Sequence, residues 1–223
     1  MKKVIKRLVT VFYKPVLEKY LSKTRNYSYG DIQLTIPSEV FHPGFFFSTK
    51  LLIRYIKALD IKNKTFLELG AGSGLISIFA AKKNAIVTAI DINPVAIQNL
   101  KINSVKNDVD LKIIQSDMFK NVPKQKFDIV IIAPPYYKRD PSTYRDHAWY
   151  CGENGEYFQG LFSTISDYIK EDSHVAMILS EDCDLSMINA FAEKNNFKMD
   201  CVEKHKNLME ENFIYRIKPV SKN

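Results

Sequence analysis

The 223-residue chain predicts an α/β fold, a mostly parallel sheet covered by helices on both faces. Three observations carry that reading. From Thr65 onward short apolar strands alternate with helical stretches, the pattern of strands joined by helical crossovers. The first of these strands runs straight into the glycine-rich turn Gly70-Ala-Gly72-Ser-Gly74. Acids close the next two strands, Asp91 and Asp117, at the carboxyl ends where open α/β sheets bind ligands.

The elements follow in order. Tyr27 to Phe41 alternates around Gly30-Asp31 and predicts a short hairpin. Residues 41–49 read as a loop, with Ser48 or Thr49 capping a helix over Lys50–Leu59. Strands are expected at Thr65–Leu69, Ile86–Ile90, Leu111–Gln115, Phe127–Ile132 and His174–Leu179. Helices are expected at Leu75–Lys83, Pro94–Lys106 (opened by proline in its first turn), Tyr157–Lys170 and Leu185–Lys194. Phe197–Glu203 and Asn212–Ile217 read as two closing strands joined by a loop near Asn207.

The net charge of +7 belongs to one end. Residues 1–25 hold eight basic side chains and one acid, Glu18, while the rest of the chain balances 24 basic against 24 acidic groups. Such a balance excludes a broad duplex-DNA-binding face on the domain itself. On a helical wheel Val4, Ile5, Leu8, Val9, Val11, Phe12 and Val16 share one face of this arm, and Lys3, Lys6, Arg7 and Lys14 the other. The arm reads either as a helix packed on the domain or as a contact for RNA, an acidic partner or an anionic membrane surface. No apolar run reaches transmembrane length and no signal-peptide pattern appears, so a cytoplasmic location is expected. Cys151, Cys183 and Cys201 are far apart and form no CxxC pair, so reduced thiols and no metal site are expected.

The chemistry gathers after the strands. Glu68 precedes Gly70, Gly72 and Gly74, and the third glycine follows the second by two residues. The dinucleotide fingerprint GxGxxG spaces them by three. An acid at this point suits a ligand with a cationic group and disfavours a pyrophosphate. Asp91, with Ile92 beside it, ends the second strand, where a carboxylate can accept two hydrogen bonds from a ribose diol. In Ser116-Asp117-Met118 the acid can take an adenine amino group while the methionine packs on the ring.

Glu-Leu-Gly-Ala-Gly-Ser-Gly, the Asp after the second strand and Ser-Asp-Met after the third resemble class I S-adenosylmethionine-dependent methyltransferases over about residues 40–220. The resemblance implies a Rossmann-like seven-stranded sheet with an antiparallel last strand, and S-adenosylmethionine as methyl donor. It implies that Glu68, Gly70, Gly72 and Gly74 cradle the methionine part, that Asp91 holds the ribose, and that Asp117 with Met118 holds the adenine. It divides the chain into a basic helix with a hairpin and loop, residues 1–47, and a catalytic domain, residues 48–223.

The fourth strand runs into Ala133-Pro134-Pro135-Tyr136-Tyr137, which is similar to the Asn-Pro-Pro-Tyr of amino-group methyltransferases. Those enzymes modify release-factor glutamine amides or exocyclic base amines. Phe41-His42-Pro43 and Cys151-Gly152-Glu153-Asn154-Gly155 resemble segments of the release-factor glutamine enzymes. The resemblance places chemistry at Ala133, Pro134, Pro135 and Tyr136, on a protein or RNA group. Ala133 stands where the family has Asn, and losing one oriented acceptor costs about 2–4 kcal/mol of transition-state stabilisation. His147 and Tyr137 are candidates for a base or an orienting group, or are simply a loop histidine and a packed tyrosine. Lys138–Tyr150, with Arg139, Arg145 and Trp149, reads as a substrate-gating loop or as a surface loop anchored by Trp149. The competing functions are an inactive cofactor-binding subunit that docks on RNA or protein, and a nicotinamide-dependent oxidoreductase.

Overall fold

The computed structural model describes residues 19–45, 47–207 and 210–220. The amphipathic face read in residues 1–18 lies outside the described residues. Two strands, β1 (Arg25–Tyr29) and β2 (Ile32–Ile36), form a hairpin about Gly30-Asp31. It is shorter than expected, because residues 37–41 leave the ladder after Pro37. Next come α1 (Phe47–Lys57), β3 (Thr65–Leu69), α2 (Leu75–Lys82), β4 (Ile86–Asp91), α3 (Pro94–Lys106), β5 (Lys112–Gln115) and β6 (Phe127–Ile132). Then follow α4 (Glu156–Thr164), β7 (Ile169–Ser180), α5 (Leu185–Lys194), β8 (Phe197–Lys206) and β9 (Glu211–Pro219).

Seven strands pair in the order β5-β4-β3-β6-β7-β9-β8. All neighbours are parallel except around β9, which runs against both β7 and β8. The α/β class, the mostly parallel sheet and the antiparallel last strand are therefore as expected. The chain fills one side of β3 with β4 and β5, then the other side with β6 and β7. That reversal opens a crevice at the carboxyl ends of β3 and β6.

Side chains alternate between two apolar layers, as the pleat dictates. Phe66, Ile129, Ile131, Ala176 and Ile178 join the layer with α1, α2 and the hairpin residues Ile32, Leu34 and Ile36. Leu67, Leu69, Val130, Ile132, Val175 and Met177 join the layer with α4 and α5. The hairpin is pinned to α3 by two buried amides. Asn103 and Asn107 accept from the backbone N–H groups of Thr35 and Gln33 and donate back to the carbonyls of the same two residues.

Two further elements differ from expectation: α1 runs Phe47–Lys57, so Ser48 and Thr49 lie inside the helix expected over Lys50–Leu59 and do not cap it, and α4 ends early. The helix read over Tyr157–Lys170 stops at Thr164, a short 3-10 turn takes residues 165–168, and β7 begins at Ile169. Both Ser163 and Thr164 turn their hydroxyls onto the Gly160 carbonyl, and such local bonds loosen a helix end.

Candidate active site

The glycine turn is folded by its own backbone. Gly70 and Ala71 both donate to the Ile90 carbonyl, and Gly72 donates to Asp91 Oδ2 at 2.7 Å. Gly72 and Gly74 have φ of +51° and +83°, a region that L side chains enter only with strain. A Cβ at Gly72 would meet nothing within 4 Å, so the turn leaves room in front of it. A Cβ at Gly74 would meet Leu100 Cδ2 at 2.5 Å.

Asp91 is held from both sides. Asn93 donates its backbone N–H to Oδ1 at 2.8 Å, while Oδ2 takes the Gly72 N–H. Burial nevertheless raises its pKa, against those two bonds and the nearby His147, which lower it. Each oxygen keeps a second lone pair, so the carboxylate can still accept from a diol. Glu68 lies deeper. Burial pushes its carboxyl up to about 8, although Ser77 Oγ donates to it, and Asp91 adds to the rise. A positive group nearby favours its ionised form.

Asn93 caps α3 through the Val95 N–H and donates to the Glu39 carbonyl at 3.0 Å. This ties the segment after the hairpin to the rim beside Asp91. Asp117 pairs with Lys120 Nζ at 2.6 Å. Met118 has φ of +46°, strained for this residue, and its Cε fills the space left by the missing side chain of Gly160.

Beyond β6 the backbone folds back. Tyr136 and Tyr137 both donate to the Trp149 carbonyl, and Cys151 donates to the Tyr137 carbonyl. Asp146 closes the intervening turn by accepting from Ser142 and Thr143. The rings of Trp149 and Phe41 meet at 5.4 Å, joining this loop to the N-terminal segment. Burial raises the pKa of both Tyr136 and Tyr157, so both hydroxyls stay protonated.

One cleft collects nearly all the residues singled out from the sequence. Glu68, Gly70, Gly72, Asp91, Ile92, Asp117 and Met118 line it together with Ala133, Pro134, Pro135 and Tyr136, and with His147 and Trp149 from the loop after β6. Gly74 is not in the lining, and instead starts α2 and packs toward Leu100. Tyr137, Arg139 and Arg145 also stay outside it. Arg139 lies over the Tyr150 ring at 4.9 Å, a surface contact. Cys151–Gly155 forms the turn into α4, with Gly152 and Gly155 at positive φ.

Sequence reasoning missed Glu39, Asn93, Tyr157, Ser180 and Asn212, which line the same cleft. Asn93 was legible as a residue before a helix-opening proline. Tyr157 was legible as the first turn of the helix after the glycine-containing stretch. Ser180 and Asn212 gave no local signal. The lining fits a cationic ligand bearing a diol: five acids (Glu39, Glu68, Asp91, Asp117 and Glu210), an open glycine cradle and a polar aromatic rim. Among the described residues no group of three or more His, Cys, Asp or Glu could hold a metal ion, and no helix is long and apolar enough to cross a membrane.

Residues 34–148 match the family model described as methyltransferase small domain. A relative from Methanocaldococcus jannaschii, provisionally named a protein N5-glutamine methyltransferase, is 34% identical over 155 residues, 67% of this chain and 76% of that protein. Other curated relatives are longer, and the chain spans half their length or less. Among solved structures, the E. cuniculi Mtq2–Trm112 complex, responsible for methylating the eRF1 termination factor, shares the fold with a TM-score of 0.63 at 17% identity, covering 81% of this chain and 99% of that one. The 16S rRNA N2 G1207 methyltransferase of T. thermophilus, bound to AdoMet and guanosine, gives 0.61 at 14% identity, covering 87% and 50%.

Proposed function

We propose that this chain, which belongs to the methyltransferase small-domain family of S-adenosylmethionine-dependent methyltransferases, methylates a side-chain amide nitrogen of a protein. One observation carries the reading: a single cleft joins the acid-lined end to the Ala133-Pro134-Pro135-Tyr136 turn and is open beside Pro134. S-adenosylmethionine supplies an electrophilic methyl group on a sulfonium. In this reading Asp91 accepts from the ribose hydroxyls, Asp117 takes the adenine amino group and Met118 packs on the ring. Glu68 becomes ionised as the cationic end approaches, and Gly70 and Gly72 leave space for it. Pro134, Pro135 and Tyr136 hold the acceptor in line with the methyl group, so catalysis is mainly positioning.

The named activity of the M. jannaschii relative and the termination factor methylated by the Mtq2 complex favour a protein amide. The second reading, an exocyclic amine of an RNA base, draws on the eight basic residues among the first 25 and on the rRNA enzyme of the same fold. The open cleft weighs against an inactive binding subunit, because neither Tyr136 nor Trp149 fills the space beside Pro134. A nicotinamide-dependent activity falls with the family.

The test is transfer of labelled methyl groups from S-adenosylmethionine into fractionated cell extract. Label in protein, recovered as a methylated amide after digestion, is the expected result. Label confined to RNA would select the second reading. Cofactor binding without transfer to either would overturn both.

A further inference from the structure

The cleft also holds a buried polar pair, Ser180 and Asn212. Because β9 runs against its neighbours, its second residue arrives at the same edge as the carboxyl ends of β6 and β7. There Asn212 pairs directly with Ser180, the last residue of β7. Both are 2% exposed and both line the cleft. Two residues further into the sheet on the same face, the corresponding pair is Ile178 and Ile214, which belong to the apolar layer. Polar side chains therefore replace apolar ones where the ladder reaches the cleft.

The amide of Asn212 is unsatisfied. Among the described residues four buried side-chain nitrogens lack a hydrogen-bond partner, those of His42, Asn99, Asn212 and Arg216. Only Asn212 among them lines the cleft. A buried N–H left without a partner is costly, and where one persists it calls for an explanation. Ala133, which lines the same cleft, offers no side-chain polar atom.

We infer that Asn212 binds the methyl acceptor, its side-chain amide donating to the acceptor's carbonyl oxygen. The inference rests on the amide reading above and adds a contact from a different strand, β9. A carboxamide carries its carbonyl oxygen and its nitrogen on one carbon. Fixing the oxygen on β9 therefore fixes the direction from which the nitrogen meets the methyl group. An amine without an adjacent carbonyl gains nothing from this contact.

The test uses the full chain and two substitutions. Asn212→Asp keeps the shape but removes the donor, and Asn212→Leu removes all polarity. Each should lower kcat/KM for transfer into the protein fraction of cell extract by about 10²–10³-fold, the effect of losing one positioned donor. Calorimetric S-adenosylmethionine affinity should stay within about twofold of wild type, since affinity is set at the other end of the cleft. The melting temperature of Asn212→Leu should equal or exceed that of wild type, because an orphaned donor has been removed. Full transfer by both variants, or a fall in transfer matched by a fall in melting temperature, would overturn the inference and leave the proposed function standing. Absence of transfer by wild type with cofactor bound would overturn the proposed function and the inference together.

Discussion

The two edges of the sheet hold carboxyl groups in opposite conditions. At the amino-terminal edge Asp128 of β6 accepts from both the backbone N–H and the hydroxyl of Thr65 on β3, and pairs with Lys170 of β7. Those partners hold its carboxyl down to about 2. At the carboxyl-terminal edge Glu68 of β3 is hydrogen-bonded by Ser77, through both hydroxyl and backbone, and among the described residues it has no ion-pair partner; burial carries it up to about 8. Asn212 at that edge has a side-chain amide nitrogen with no partner among the described residues. Polar groups at the first edge are satisfied by the protein itself and lock three strands in register. At the second, Asp91 and Asp117 have partners in the protein, while the buried Glu68 carboxyl and the Asn212 side-chain nitrogen are left for ligands to complete.

Four substitutions sharpen or break this contrast. Gly74→Ala has the largest expected effect on stability. Strain at positive φ and the clash with Leu100 together should cost about 2–4 kcal/mol in urea unfolding, with cofactor affinity retained. Gly72→Ala should do the reverse. Its strain costs about 1 kcal/mol, but the new methyl enters the cleft and should weaken S-adenosylmethionine binding about tenfold or more by calorimetry. Equal effects from the two would mean that the cleft does not begin at Gly72.

Glu68→Gln tests the raised carboxyl. Since the folded value of about 8 lies above the ordinary 4.5, the native state binds the extra proton, and wild-type stability falls as pH rises between those values. Gln cannot ionise, so the variant's melting temperature should gain on wild type from about pH 5 to about pH 8. A constant difference would show that Glu68 is ionised in the empty cleft. Lys170→Ala should have the smallest effect, about 1 kcal/mol or less for a half-exposed pair, with cofactor affinity unchanged. The Asp128 contribution runs the other way with pH, present above the ordinary carboxylate range and lost as pH falls through about 2. A change in cofactor affinity on removing Lys170 would break the separation of the two edges.

Much of the cleft lining was legible because its signals are local. Gly70, Gly72 and Asp117 follow strands, and Asp91 ends one, whose apolar pattern is plain, and β3, α3 and β6 have the bounds read from sequence. Gly74 looked like a third cradle residue, but only the structure shows Leu100 behind it. The rest of the lining was legible in half. Ala133–Tyr136 follow β6 directly, whereas Asn212 reaches the cleft only because one strand reverses. Its position depends on a pairing between distant segments that no local pattern encodes. The early end of α4 was hidden for a different reason, since the competing hydroxyl bonds of Ser163 and Thr164 act within a stretch that otherwise reads as helical.

The most direct test of the account is a calorimetric titration of the wild type and Asp91→Ala with S-adenosylmethionine, with NADH as control. The account predicts S-adenosylmethionine binding to the wild type, a loss of about 100-fold or more in Asp91→Ala, and no NADH binding by either. Undiminished binding to Asp91→Ala, or NADH binding in place of S-adenosylmethionine, would contradict it.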